Sequence, residues 1–460
     1  MKKSKIIIAL LLAVIMVLSV VAMVACDNGN GGKKGKAIEL VLWAPSGAQN
    51  FYTSWANKWA KDYKDREGRN YKVKVSVMEE GEAKQWLLDA PQDCADVFLF
   101  ADDQVADLAN AGILATLGTG AIAQDVTARN SASSVASASY KRATDDEAKL
   151  YAYPMQADNT YFLYYNDLYF SAEDLETWEG IFTKLDTLNA NAQGNTDRKK
   201  VAFDYDTAWY GASWFFTFGG EVSASNGISN FHEAEVGIKA LQAAYEFTKR
   251  GGKNIAYIGP NDGVAKLKDP KNPDAEILDY EYVAMVAGTW LYSSEDPDNP
   301  TGLDQNEHIK MTVLPKITLN GETVPMKPFI GCKLIGVNAQ CDYLEASHSL
   351  ANYLTSEAVQ KDKALKLFAG PSNLNAMADP AIAELPTVKV VAEQAKNASP
   401  QIDLPVGFWD VVGKVISAVR VDAANVKDYF GTDGQPIRGV DGIDKLLKNL
   451  EIEMWGSIGD

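Results

Sequence analysis

The chain has 460 residues, 47% hydrophobic and 23% charged, with a formal net charge of −17. That length exceeds one core of ordinary size and calls for two domains or more, and the composition is that of a folded globular chain rather than a disordered one. A chain this acidic is repelled by nucleic acid and by anionic lipid head groups.

At the start, Lys2, Lys3 and Lys5 precede an apolar run from Ile6 to Leu18 that resumes from Val20 to Val24. This is the basic n-region and apolar h-region of a signal peptide, although the run is also long enough for one membrane span. Met23-Val24-Ala25-Cys26 resembles the lipobox of bacterial lipoproteins, with methionine where leucine is usual. The resemblance implies removal of residues 1–25 and a diacylglycerol on Cys26, two acyl chains that anchor stably. Residues 26–36, rich in Gly, Asn and Lys, then form a flexible tether. The mature chain loses three lysines and no acids, which takes its charge to −20. It is expected to sit outside the cytoplasm, anchored to the outer face of a bacterial cell membrane. Cys94, Cys332 and Cys341 remain, an odd number that implies no disulfide framework.

Further along, Ala37–Trp43 reads as a strand with a turn at Ala44–Gly47. Tyr52, Trp55, Trp59 and Tyr63 mark one face of a helix over Phe51–Lys64. Tyr71–Met78 alternates as a half-buried strand, Glu82–Leu88 is a short helix, and Ala95–Phe100 is a buried strand. Val105–Ala111 is the next helix, with Gly112 as its C-cap. Three strands alternating with helices are the pattern of an open α/β sheet. Thr127–Asp146 is a Ser/Ala/Thr-rich stretch without a clear period. Pro154 biases Tyr153 towards extended backbone, and the aromatic run Tyr161–Tyr165 reads as a strand buried on both faces. Helices follow over Leu175–Leu188 and Glu233–Lys249, around an aromatic-dense segment at Asp204–Gly220. Tyr282–Met285 and Leu334–Val337 are strands; Pro270–Pro273 and Asp296–Pro300 are surface loops. Leu344–Leu354, Ala358–Leu367, Phe408–Val419 and Ile443–Glu451 close the chain as helices.

Catalytic signatures are missing: there is no G-x-S-x-G, H-E-x-x-H, P-loop or complete dinucleotide fingerprint. His232, His308 and His348 form no metal spacing, and Asp296-x-Asp298-Asn299 lacks the glycine and glutamate of a calcium loop. What stands out is aromatic rings beside polar groups. Trp209, Tyr210 and Trp214 follow Asp204 and Asp206; Trp290 follows a glycine turn; Phe408-Trp409 opens a helix after Pro405-Val406-Gly407. A flat ring matches the C–H face of a pyranose, while carboxylates and amides serve its hydroxyls. Taken singly, each tryptophan reads as core packing, and it is their recurrence at strand ends and helix starts that points to a site.

Several motifs together carry a wider resemblance. Asp96–Asp103 (DVFLFADD) leading to Ala111–Leu114, Tyr153-Pro154 through Asn166, Ala284-Met285 to Trp290, Pro325–Gly336 and Gly407-Phe408-Trp409 are similar to segments of the extracellular solute-binding proteins of carbohydrate ABC transporters. The maltose-binding-protein branch, family 1, is the most similar, over nearly all of Ala37–Trp455. The resemblance implies that Trp290 and Trp409 stack on sugar rings, and that Asp102, Asp103 and either Asp158 or Asn159 accept from hydroxyls. It also implies that Trp209 or Tyr210 adds a ring and that Glu79 or Glu80 binds from a strand end. Phe100 stands where that branch has tryptophan and Gln104 where arginine is usual.

The expected fold is therefore α/β and two-lobed, a type II periplasmic-binding-protein-like architecture with a hinge and an interlobe cleft. Lobe one takes residues 37–156 and 329–370; lobe two takes 161–324 and 375–460; the hinge segments are 157–160, 325–328 and 371–374. The expected function is capture of an oligosaccharide, of the maltose or maltooligosaccharide type, and its delivery to ABC permease subunits. Neither catalysis, cofactor nor metal is implied, and a monomer is expected. A secreted glycoside hydrolase, with two carboxylates across a sugar, and the same scaffold binding a polyamine are the rival readings.

Overall fold

The computed structural model describes residues 36–194, 197–259, 263, 267, 280–293, 302–304 and 306–456. Cys26 with its leader, the loop Pro270–Pro273 and the acidic loop Asp296–Pro300 lie outside the described residues.

The alternating strands and helices at the start build a parallel sheet. Ile38–Ala44 pairs in parallel with Tyr71–Val77 on one side and with Val97–Ala101 on the other. Val97–Phe100, apolar at every position, is buried on both faces, whereas Tyr71–Val77 alternates as an outer strand does. Phe51, Tyr52, Ala56 and Trp59 form the inward stripe of the helix Gln49–Asp62. The sheet is completed by strands from far along the chain: Phe329–Val337 runs antiparallel to Val97–Ala101, and Ser399–Pro400 adds at the Phe329 end. The strand Phe329–Val337 begins earlier than its apolar stretch at Leu334 implied, because Gly331 and Lys333 interrupt the apolar run, while the pairing continues past them with shifts of register.

A second, five-stranded sheet has the order Ile255–Ala256, Lys200–Ala202, Tyr282–Ala287, Phe162–Asn166, Ile309–Thr312. Helices pack against it, among them Trp178–Leu188, whose N-cap Thr177 accepts from the Gly180 N–H at 3.0 Å. The aromatic-dense segment becomes the helix Ala208–Thr217, buried over most of its circumference. The Ser/Ala/Thr-rich stretch holds the end of the helix Ala121–Arg129 and the helix Ala132–Ser137, capped by Ser131.

Each sheet has its own core. Leu40, Phe98, Tyr153, Leu334 and Leu350 belong to one; Tyr161, Trp178, Trp214, Phe329 and Ile416 belong to the other. Core membership changes between Met155 and Tyr161, from within Ala152–Thr160 to just past its end, and between Phe329 and Cys332 on Phe329–Val337. These two strands, Ala152–Thr160 and Phe329–Val337, pair with each other. A single residue, Tyr161, separates Ala152–Thr160 from the second-sheet strand Phe162–Asn166. Pro154, which cannot donate to a ladder, sits at a register irregularity opposite Lys333 and Leu334.

Candidate functional site

The three parallel strands of the first sheet end on one edge, so the turns that follow them collect there, the usual position of a ligand crevice in open α/β sheets. Pro45–Ala48, Glu79–Gly81 and the turn at Ala101, Asp103 and Gln104 form one wall of a cavity of about 1010 Å³. Gln156 and Asn159 line it from Ala152–Thr160, Lys333 from Phe329–Val337 and Gln401 from just after Ser399–Pro400; Trp209, Thr289, Trp290 and Trp409 line it from elements of the second sheet and its helices.

The rings reach the cavity because of where they stand in their elements. Trp209 and Trp409 occupy the first turns of the helices Ala208–Thr217 and Phe408–Ala418, at the helix end that meets the cavity. Trp209 stacks on Phe329 with centroids 5.4 Å apart and lies 6.3 Å from Trp409. Trp290 extends from a short turn after the buried strand Tyr282–Ala287 and is 36% exposed. The Lys333 ammonium lies 5.5 Å from its ring centroid, within cation–π range.

Polar groups alternate with these rings. Lys333 and Glu80 form an ion pair at 2.6 Å, each side chain only 12% exposed. Burial works against the Lys333 charge, but Glu80, helped by Asp158 and Glu79, outweighs it and holds the ammonium above its ordinary pKa. Gln104 donates from Nε2 to the Glu80 carbonyl at 2.7 Å, and the Ser46 N–H donates to Glu79 Oε1 at 3.0 Å, so all three turns are tied together through Glu79–Gly81. Asn159 donates from Nδ2 to Gln401 Oε1 at 2.8 Å. Burial lifts the Asp103 carboxyl to about 6, against the pull of Lys84 and of a hydrogen bond from the Trp409 indole. Lys363, buried beside Gln156, donates to the Tyr52 hydroxyl at 2.9 Å and to Gln156 Oε1.

Of the residues singled out from sequence, Glu79, Glu80, Asp103, Asn159, Trp209, Trp290 and Trp409 line this one cavity. Three others do not: Asp102 is a correction, and Tyr210 and Asp158 are the members of two open pairs that face away from it. Asp102 is 2% exposed and turned inward, where its Oδ2 accepts from the Cys332 N–H at 2.8 Å. Tyr210 is a core ring packed against Tyr161 and Phe203, one helical position away from the exposed face that Trp209 takes. Asp158 is fully buried and accepts from protein groups on every side, which leaves Asn159 as the member of that pair facing the cavity.

Lys333, Lys84, Gln156, Thr289, Lys363 and Gln401 also line the cavity, although sequence reasoning passed over them. Lys333 alone left a legible sign, a charged residue inside the otherwise apolar run Phe329–Val337. Among the described residues no group of His, Cys, Asp and Glu could hold a metal ion. A lining of flat rings between donors and acceptors of both charges suits a neutral ligand with C–H faces and polar edges.

Residues 58–390 match the family model for bacterial extracellular solute-binding proteins. The chain is 23% identical over 456 residues to the galactooligosaccharide-binding protein of Bacillus subtilis (strain 168), an alignment that covers 95% of this chain and 98% of that protein. It superposes on the Thermus thermophilus maltotriose-binding protein bound with maltotriose, with a TM-score of 0.66 and 18% identity, covering 91% of this chain and all 100% of that one. The maltose/maltodextrin-binding domain of Bdellovibrio bacteriovorus, bound to maltotriose, gives a TM-score of 0.69 at 17% identity, over 90% of this chain and 98% of the other. These likenesses establish the two-lobed type II fold with its hinge and interlobe cleft.

Proposed function

The chain belongs to the bacterial extracellular solute-binding proteins, and from that premise we propose that it captures an oligosaccharide between its lobes and hands it to the membrane subunits of an ABC importer. One observation carries the ligand class: three tryptophans, Trp209, Trp290 and Trp409, face a single cavity whose lining also supplies donors and acceptors of both charges. Lys84, Lys333 and Lys363 stand among the carboxylates of Glu79, Glu80 and Asp103. That balance favours a neutral sugar over a polyamine, which would want the carboxylates unopposed.

In this reading Trp290 stacks on one part of the sugar, and Trp209 and Trp409 stack on another. Asn159, Asp103, Glu79 and Glu80 serve hydroxyls. Segments 157–160, 325–328 and 371–374 act as hinges, and the ligand draws the lobes together by its higher affinity for the closed form. Maltooligosaccharides are the first class to test and galactooligosaccharides the second. Cys26 carries the lipid that keeps the protein on the outer face of the membrane.

Titration calorimetry of the mature protein with maltotriose and with a galactotriose tests the ligand, and the same mixtures assayed for released reducing sugar test for hydrolysis. Tight binding without turnover is expected. Binding of neither sugar, or rapid hydrolysis, overturns the reading. Loss of membrane association in a Cys26→Ala variant is the expected result for the anchor.

A further inference from the structure

Asp158 stands two residues from the end of the strand Ala152–Thr160 and is 0% exposed. Three donors converge on its carboxylate from three parts of the chain. The Gly370 N–H donates to Oδ2 at 2.6 Å, from the turn after the helix Glu357–Leu367. The Thr289 hydroxyl donates to Oδ2 at 3.0 Å, from the residue that precedes Trp290. Gln156 Nε2 donates to Oδ1 at 2.9 Å, and Gln156 in turn accepts from Lys363, which reaches the Tyr52 hydroxyl on the first-lobe helix Gln49–Asp62. The approach at Gly370 admits only glycine: a Cβ there would lie 2.9 Å from the Asp158 Cβ. A buried polar chain thus runs from the second-lobe turn bearing Trp290, through the crossing strand, into the first lobe.

We propose that Asp158 is a positioning residue of the cleft, one that never touches the ligand but fixes the Trp290 turn to two crossing segments, so that the ring platform and the hinge move as one. A buried carboxylate is suited to this because it accepts several charge-assisted hydrogen bonds at once, and each is strong where water is excluded. Replacing one acceptor oxygen by an amide group would set a donor against a donor. Asn159 faces the cavity beside Gln156, while Asp158 lies buried behind the Gln156 and Thr289 that line it, on a stretch where the strand pairing shifts register.

This inference rests on the reading of Trp290 as a sugar platform, and the experiment separates the two. Maltotriose binding to the mature protein is measured by calorimetry for Asp158→Asn, Trp290→Ala and the double variant. Asp158→Asn should weaken binding about tenfold or more, the scale of a lost buried hydrogen bond to a charged group. The double variant should bind about as well as Trp290→Ala alone, because the two substitutions remove the same platform. Thr289→Val keeps the side-chain shape and removes only the hydroxyl, so it remains informative should Asp158→Asn fold poorly. It should shift the tryptophan emission of the ligand-free protein, and the shift should vanish in a Trp290→Phe background. Additive losses in the cycle, or unchanged emission in Thr289→Val, overturn the positioning role. Unchanged affinity in Trp290→Ala overturns the sugar-platform reading instead, and the ligand-free emission then decides the role of Asp158 by itself.

Discussion

The ring of Trp290 fills the space that a side chain at Gly288 would need: a Cβ there would stand 1.9 Å from the ring carbons. The backbone at Gly288 has φ −104°, open to any residue, so contact with the ring, not backbone strain, reserves the position for glycine. Gly288→Ala should therefore leave the fold in place and push Trp290 out of line, costing about 1–3 kcal/mol of sugar affinity as an overpacked site does. Calorimetry paired with tryptophan emission checks this; unchanged values in both would mean the turn can absorb the methyl group.

Removing a ring itself should cost more. Trp290→Ala and Trp409→Ala are each expected to weaken sugar binding by roughly 2 kcal/mol or more, the scale of a buried aromatic anchor. Intact affinity in both would remove the aromatic basis of the ligand assignment.

Lys333 and Glu80 bear on stability. Exposed ion pairs contribute about 0–1 kcal/mol, while breaking a fully buried one costs about 3–5 kcal/mol. With both side chains 12% exposed at 2.6 Å, Lys333→Met should fall between, at roughly 2 kcal/mol, mostly from leaving the Glu80 charge half-desolvated and unpaired. Adding Glu80→Gln should recover part of that loss in urea denaturation. A double variant less stable than Lys333→Met would show that the lysine is not there for the glutamate.

Asp102 predicts a pH dependence of opposite sign to the usual carboxylate. Burial raises its carboxyl from 3.8 to about 8 in the folded protein. Between those values the folded state holds a proton that the unfolded chain has released, so this group's contribution to stability falls as pH rises from about 4 to about 8. Asp102→Asn can still accept from the Cys332 N–H. It should resemble the parent at the acid end and grow progressively more stable than the parent towards pH 8. Thermal unfolding across that range checks it, and a difference independent of pH would contradict the argument.

Much of the first lobe was legible because its strands and helices declare their periods: the buried run Val97–Phe100 and the inward stripe of Gln49–Asp62 need no partner to be recognised. Trp290 and Trp409 were legible as well, since a glycine turn and a helix start are features of the sequence itself. The choice between Asp158 and Asn159 was not. Adjacent residues on a strand face opposite ways, and which one meets the cavity depends on pairing with Gly331 and Ile330, far along the chain. Tyr210 and Trp209 differ by a rotation of one helical position, fixed by packing against Tyr161 and Phe329. The helices at Ala121–Arg129 and Ala132–Ser137 escaped notice because small polar residues give a weak amphipathic signal, and only Ala123 and Val126 of the first of them pack inward as buried apolar side chains.

The strand Phe329–Val337 sits between Val97–Ala101 and Ala152–Thr160, so the sheet of the first lobe lacks a central member until late in synthesis. A nascent chain that has grown past residue 300 still cannot close that sheet, and its apolar strand Val97–Phe100 has one unpaired edge. Contacts of such long sequence separation form slowly. That sheet therefore closes only after its last-made central strand, Phe329–Val337, is available. The same wiring means that a single cut anywhere between Thr160 and Phe329 leaves the strands of the first sheet on two different fragments.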